Sequence, residues 1–153
     1  MGTEIERKYL VNDASWKTVE GVRYRQGYLN SQKERTVRVR TVGDKGFLTV
    51  KGPNVGAVRP EYEYEIPTKE ANEMLDLLCE KPLIDKTRYK VGHAGLVWEI
   101  DEFHADNQGL VVAEVELDSD RTDFARPAWV GEDVTGDPKY FNSNLIKKPY
   151  TRW

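Results

Sequence analysis

A side-chain period of two runs through most of this chain and limits what it can fold into more than any other feature. Segments 3–11, 20–30, 35–42, 45–52, 57–66, 83–92, 95–104 and 110–118 are rich in Val, Ile, Tyr and Thr and alternate between polar and apolar positions. That pattern suits half-buried strands. Clusters of turn residues separate several of them: Gly43-Asp44-Lys45-Gly46, Gly52-Pro53-Asn54, Gly92-His93-Ala94-Gly95 and Asp106-Asn107-Gln108-Gly109. Short connections of this kind join antiparallel neighbours. The reading is a mostly β (α+β) single domain over residues 1–153. Eight such strands suffice to close an antiparallel barrel, which would remove the sheet edges an open arrangement leaves exposed.

Two helices interrupt the pattern. In 68–79, Thr68 stands where a cap is expected after Pro67, and Ala71, Met74, Leu75 and Leu78 recur at helical spacing before Pro82 bars continuation. Asp137-Pro138 reads as a cap followed by proline at the first helical position, with a helix to about Lys147. Asp13 begins a shorter turn carrying Trp16.

The face on which each strand carries its charge decides what such a fold could do. Glu4, Glu6 and Lys8 alternate with Ile5 and Tyr9; Arg38 and Arg40 with Val37 and Val39. Lys51 shares a face with Thr49, opposite Leu48 and Val50, and Arg59, Glu61, Glu63 and Glu65 share another. Lys86 pairs with Arg88, Glu99 and Asp101 oppose Trp98 and Ile100, and Glu114 and Glu116 oppose Val115 and Leu117. One such strand is ordinary, because antiparallel sheets commonly keep one solvated face. A charged face on nearly every strand is not, when two amphipathic helices also need an apolar sheet surface to cover. If the helices pack outside, the charged faces turn inward and line a hydrated tunnel; a dry core could not hold them, since desolvation costs several kcal/mol per ion.

Bulk properties exclude other classes. The net charge of −3 gives no general nucleic-acid footprint. Cys79 is the single cysteine, which rules out an intramolecular disulfide and a thiolate zinc site, and His93 and His104 have no metal-ligand spacing. No apolar run approaches membrane-span length and no leader pattern opens the chain, so a cytoplasmic protein, monomer or homodimer, without membrane or nucleic-acid partners, is expected.

The charges that remain fit one chemistry. Glu4 and Glu6, two apart on one strand, point the same way and can hold a hard divalent cation; Glu114 and Glu116 repeat the geometry. Lysines and arginines on separate strands can surround a chain of phosphates, with guanidinium forks matching phosphate oxygens. No Gly-x4-Gly-Lys-Ser/Thr loop is present. Carboxylates for a metal beside bases for phosphate is what metal-assisted phosphoryl transfer needs.

At this point the chain resembles a known family. Glu4-Ile5-Glu6-Arg7-Lys8 looks like the Glu-x-Glu-x-Lys signature of the triphosphate tunnel metalloenzymes, or CYTH proteins, and it is followed in the family's order by Gln26-Gly27-Tyr28-Leu29, Arg38-Val39-Arg40, Lys51-Gly52, Glu61 to Glu65, Lys86-Thr87-Arg88, Glu99-Ile100-Asp101 and Ala113-Glu114-Val115-Glu116. Val134-Thr135-Gly136-Asp137 with Tyr140, Asn142 and Leu145 is similar to the small bacterial members. The resemblance implies a closed eight-stranded barrel tunnel with a charged interior and helices outside. It implies Mg²⁺ or Mn²⁺ held by Glu4, Glu6 and Glu116, with Glu114, Glu63 or Asp101 assisting. Lys8, Arg38, Arg40, Lys51, Lys86 and Arg88 would bind phosphates, Tyr28 would donate to a phosphate oxygen or serve as a packed aromatic, and Lys8 with Glu4 and Glu6 would form the catalytic group. Hydrolysis of inorganic tripolyphosphate to pyrophosphate and phosphate is the expected activity, because no aromatic cluster is evident on the charged face to grip an organic base. Thiamine triphosphate or nucleotide hydrolysis, cyclase activity, or a silent polyphosphate or nucleotide binder are the alternatives.

Overall fold

The computed structural model describes residues 5–53, 60–117 and 123–153. Nine strands form one antiparallel sheet: β1 (Ile5–Val11), β2 (Val22–Asn30), β3 (Thr36–Val42), β4 (Lys45–Lys51), β5 (Glu61–Ile66), β6 (Ile84–His93), β7 (Leu96–Phe103), β8 (Val111–Leu117) and β9 (Val130–Asp133). Their order is β5-β4-β3-β2-β6-β7-β8-β1-β9, so β5 and β9 are edges and the sheet is open. The closed eight-stranded barrel expected from the strand count is therefore wrong.

A ninth strand extends the sheet beyond β1: Tyr9 pairs with Asp133 and Val11 with Val130 of β9, a four-residue strand with no alternation to reveal it, so the strand count did not fix the edges. At the other end β5 has no partner on its outer side among the described residues, and it alternates Glu61, Glu63 and Glu65 along its length. Charge on an edge strand discourages pairing with another chain.

The chain divides into two compact units, residues 23–85 and residues 1–22 with 86–153. In the unit of residues 23–85, helix α1 (Thr68–Leu77) covers β3 and β4. Its Ala71 and Leu75 are fully buried with Val39 and Cys79, and Leu29, Leu48, Ile66, Met74 and Leu83 pack around them. The approach is close: a Cβ on Gly46 would stand 2.7 Å from that of Ala71. Thr68 does not cap the helix; its hydroxyl donates to the Asp44 carbonyl in the β3–β4 turn, which ties the helix start to the sheet. Replacing Leu75 by alanine would cost about 2–5 kcal/mol.

In the other unit the apolar face of β1, β7 and β8 is closed by aromatic residues. Tyr9, Trp98, Ile100, Ala113 and Val115 are buried with Trp16, Tyr89 and Trp129. Trp98 meets Trp129 edge-on at 5.5 Å and Phe124 at 5.9 Å, so residues from loop segments, not an outer helix, lie over it. Asp13 accepts from the Ser15 amide at 2.9 Å and makes the turn that delivers Trp16. The expected helix from Asp137 is split: a 3₁₀ turn at Pro138–Tyr140, an extended Phe141, then α2 (Asn142–Lys147). No helix among the described residues is long and apolar enough to cross a membrane.

Candidate functional site

Residues directly opposite on antiparallel strands share a face. In the unit of residues 23–85, Tyr28 stands opposite Arg38, Arg38 opposite Thr49, and Thr49 opposite Glu63. The neighbouring rows are Gln26, Arg40, Phe47 and Glu65, and then Thr36, Lys51 and Glu61. Val39 and Leu48 point to the other side, under α1. The helix thus occupies the apolar face and leaves the charged one opposite, as the alternation requires.

Some buried donors on this face have no acceptor among the described residues. Arg40 reaches Glu63 at 3.5 Å, yet Arg38 Nε, Arg40 Nε and Thr49 Oγ1 are buried with no hydrogen-bond partner among the described residues. Burial, and after it the nearby Arg40, pull the Arg38 guanidinium below its ordinary range. Buried donors are normally satisfied, and leaving one unpaired costs about 1–3 kcal/mol. Three on one face, two of them cationic, suit an anion with several oxygens. Aromatic rings do share this face, contrary to expectation, but Tyr24 and Phe47 lie 5.8 and 5.9 Å from the Arg40 guanidinium and are engaged by it.

In the other unit the charged row runs across β6, β7, β8 and β1. Arg88 faces Asp101, Glu99 faces Glu114, and Glu114 faces Lys8. Lys8 Nζ lies 3.3 Å from Glu114, and Arg88 lies 3.1 Å from Glu99. Asp101 accepts both Arg88, at 2.7 and 2.9 Å, and Lys86, at 2.9 Å. Burial pushes the Asp101 carboxyl up, but Lys86 and Arg88 together outweigh it and hold it below the usual range. Lys86 is itself buried, 2% exposed, and burial lowers its ammonium against the pull of Asp101. Lys86 and Asp101 are thus buried together beside Arg88.

Glu6 and Glu116 occupy directly opposed positions on β1 and β8, and both are exposed. Like charges so placed are unfavourable. Hard carboxylate oxygens in that register suit a divalent cation, and Mg²⁺ in particular is usually held by one or two carboxylates together with substrate phosphates. Among the described residues no group of three or more His, Cys, Asp or Glu is placed to hold a metal ion. Glu4, the third expected ligand, lies outside the described residues, as does Arg59. Glu63 sits with Arg40 in residues 23–85, whereas Glu6, Glu114 and Glu116 belong to the other unit.

The CYTH domain model matches residues 2–150 of this sequence. The chain belongs to the CYTH family. A curated relative from Acetivibrio thermocellus, an inorganic triphosphatase, is 55% identical over 98% of this chain and 97% of its own length. Another inorganic triphosphatase, from Nitrosomonas europaea, is 37% identical over 94% of this chain and 96% of its own. A crystal structure of an inorganic triphosphatase superposes with a TM-score of 0.80 at 35% identity, covering 95% of each chain. CYTH triphosphatases are metal-dependent in general, which accords with the Glu6 and Glu116 register.

Sequence reasoning missed Thr49, although it precedes Lys51 by two on the same strand and its face was legible. It also missed the contacts of Lys8 with residues 134–141, because nothing local links positions so far apart.

Proposed function

We propose that this CYTH protein hydrolyses inorganic tripolyphosphate to pyrophosphate and phosphate with Mg²⁺ or Mn²⁺. The observation that carries this reading is the trio of buried donors without a partner among the described residues, Arg38 Nε, Arg40 Nε and Thr49 Oγ1, supported by the two curated relatives that are inorganic triphosphatases.

In this reading Arg38, Arg40 and Lys51 bind phosphate oxygens within residues 23–85, and Tyr28, beside Arg38, donates to one of them. In the other unit Lys8 and Arg88 do the same, with Lys86 and Asp101 fixing Arg88. Glu6 and Glu116, with Glu4, would hold the cation, and Glu114 keeps Lys8 beside them. A bound divalent cation would supply charge neutralisation on the phosphate oxygens as the bridging bond breaks. The protein's own groups orient the chain so that water attacks a terminal phosphorus in line with the leaving pyrophosphate. The new P–O bond comes from water, and the bridging oxygen leaves with the electron pair.

Phosphate release from tripolyphosphate, pyrophosphate, ATP and thiamine triphosphate, each with Mg²⁺ or Mn²⁺, tests the assignment. Tripolyphosphate should be cleaved and pyrophosphate should not. Faster turnover of ATP or thiamine triphosphate, or equal rates on pyrophosphate, would overturn it.

A further inference from the structure

Lys8 is held by one short segment at both its main chain and its side chain. Its amide donates to Thr135 Oγ1 at 2.8 Å, and its carbonyl accepts from the Val134 amide at 2.8 Å and from the Thr135 hydroxyl at 3.3 Å. Six residues on, the same segment returns to the side chain. Lys8 Nζ donates to the Tyr140 carbonyl at 3.4 Å and lies 5.5 Å from the centroid of the Phe141 ring. Glu114 Oε1, at 3.3 Å, is a third neighbour of the ammonium. Phe141 is extended, with φ −71° and ψ 137°, and interrupts the helical stretch between the 3₁₀ turn and α2. Phe141 is 41% exposed, so burial in a core does not explain that break.

We propose that Phe141 is a positioning residue for the triphosphatase reaction: its ring and the Tyr140 carbonyl hold the Lys8 ammonium in the pose that meets a substrate phosphate. The chemistry favours it. A lysine is a point charge on a mobile four-carbon stem, and its carboxylate neighbour alone would draw it toward Glu114. A ring face and a carbonyl attract the ammonium without neutralising it, so it stays cationic toward an anion. The proposal rests on the reading above that Lys8 binds phosphate, and the test separates the two.

The affinity of the full chain for tripolyphosphate is measured by calorimetry in chelator, where no turnover occurs, for the wild type, Phe141→Leu, Phe141→Tyr, Lys8→Met and the Lys8→Met/Phe141→Leu pair. Melting temperatures and, with metal, kcat and KM are taken alongside. Phe141→Leu should weaken binding about 2- to 30-fold, the range of a cation–π contact. Phe141→Tyr should restore it, and in the Lys8→Met background Phe141→Leu should have no further effect. Thr135→Val, which disturbs only the main-chain side of the clamp, should weaken binding in the same Lys8-dependent way. Wild-type affinity in Phe141→Leu, or the same loss with and without Lys8, would overturn the proposal. If Lys8→Met binds like the wild type while Arg38→Gln does not, the phosphate role of Lys8 is overturned, and the positioning role with it.

Discussion

Asp101 receives Arg88 through two parallel hydrogen bonds, Nε to Oδ1 at 2.7 Å and Nη2 to Oδ2 at 2.9 Å, and the second oxygen also meets Lys86 at 2.9 Å. This carboxylate thereby meets both cations, and Glu99, at 3.1 Å, pairs with a further nitrogen of the same guanidinium. These contacts fix the direction of the Arg88 guanidinium.

Asp101→Asn should destabilise the protein strongly. It leaves the fully buried Lys86 charge without its counter-ion, and breaking a buried pair from one side costs about 3–5 kcal/mol. For a domain of this size that is a fall of roughly 6–20 °C in melting temperature. Removing both partners, as Lys86→Met/Asp101→Leu, should recover most of the loss while turnover stays low. Thermal melts of the single and double variants check this, and a double variant no more stable than Asp101→Asn would contradict it.

The same carboxylate sets an acid limit. Its folded-state value is held below the usual range by Lys86 and Arg88 against the effect of burial. It therefore contributes stability that is fully present above the unfolded value of about 3.9 and is lost as pH falls through the lower folded value. Urea midpoints measured downward from pH 5 should drop below about pH 4, and the part of that drop due to Asp101 should be missing from Asp101→Asn.

Glu116 opposes Glu6 across β1 and β8. Glu116→Gln removes a like-charge contact, so in chelator the variant should melt at the wild-type temperature or slightly above, by at most about 1 kcal/mol. With Mg²⁺ or Mn²⁺ the wild type should gain stability and the variant should not, and turnover should fall. A metal-dependent rise that persists in Glu116→Gln would remove this carboxylate from the metal set.

Arg38 is desolvated and lies near Arg40, and both effects disfavour its charge in the empty protein. Arg38→Gln should cost little stability without ligand, or add some. Tripolyphosphate at about a hundred times its dissociation constant should stabilise the wild type by roughly 2.7 kcal/mol, a rise of about 5–11 °C. The variant should lose most of that rise together with activity. A shift that survives the substitution, or vanishes in moderate salt, would point to a solvated surface charge.

Period-two alternation determined a good deal by itself, because side-chain direction in a strand is a local property. It put Arg38 and Arg40 opposite Val39, placed Lys8 opposite Tyr9, and required α1 to lie on the apolar side; the buried Val39, Tyr9 and Leu75 agree. The ordered charged pairs also carried the CYTH resemblance over nearly the whole chain, as the match over residues 2–150 bears out. Only the tertiary structure decided whether the sheet closes, because pairing between edge strands is a long-range property that no local pattern records. Val130–Asp133 joins β1 from more than a hundred residues away, in four residues without periodicity. Pairing of charges followed the same rule. The strand pattern put Lys86 with Arg88 and Glu99 with Asp101, but the buried Lys86–Asp101 pair arises only when β6 meets β7. The hold of Tyr140 and Phe141 on Lys8 likewise arises from chain return, which fixes distances that no local pattern records.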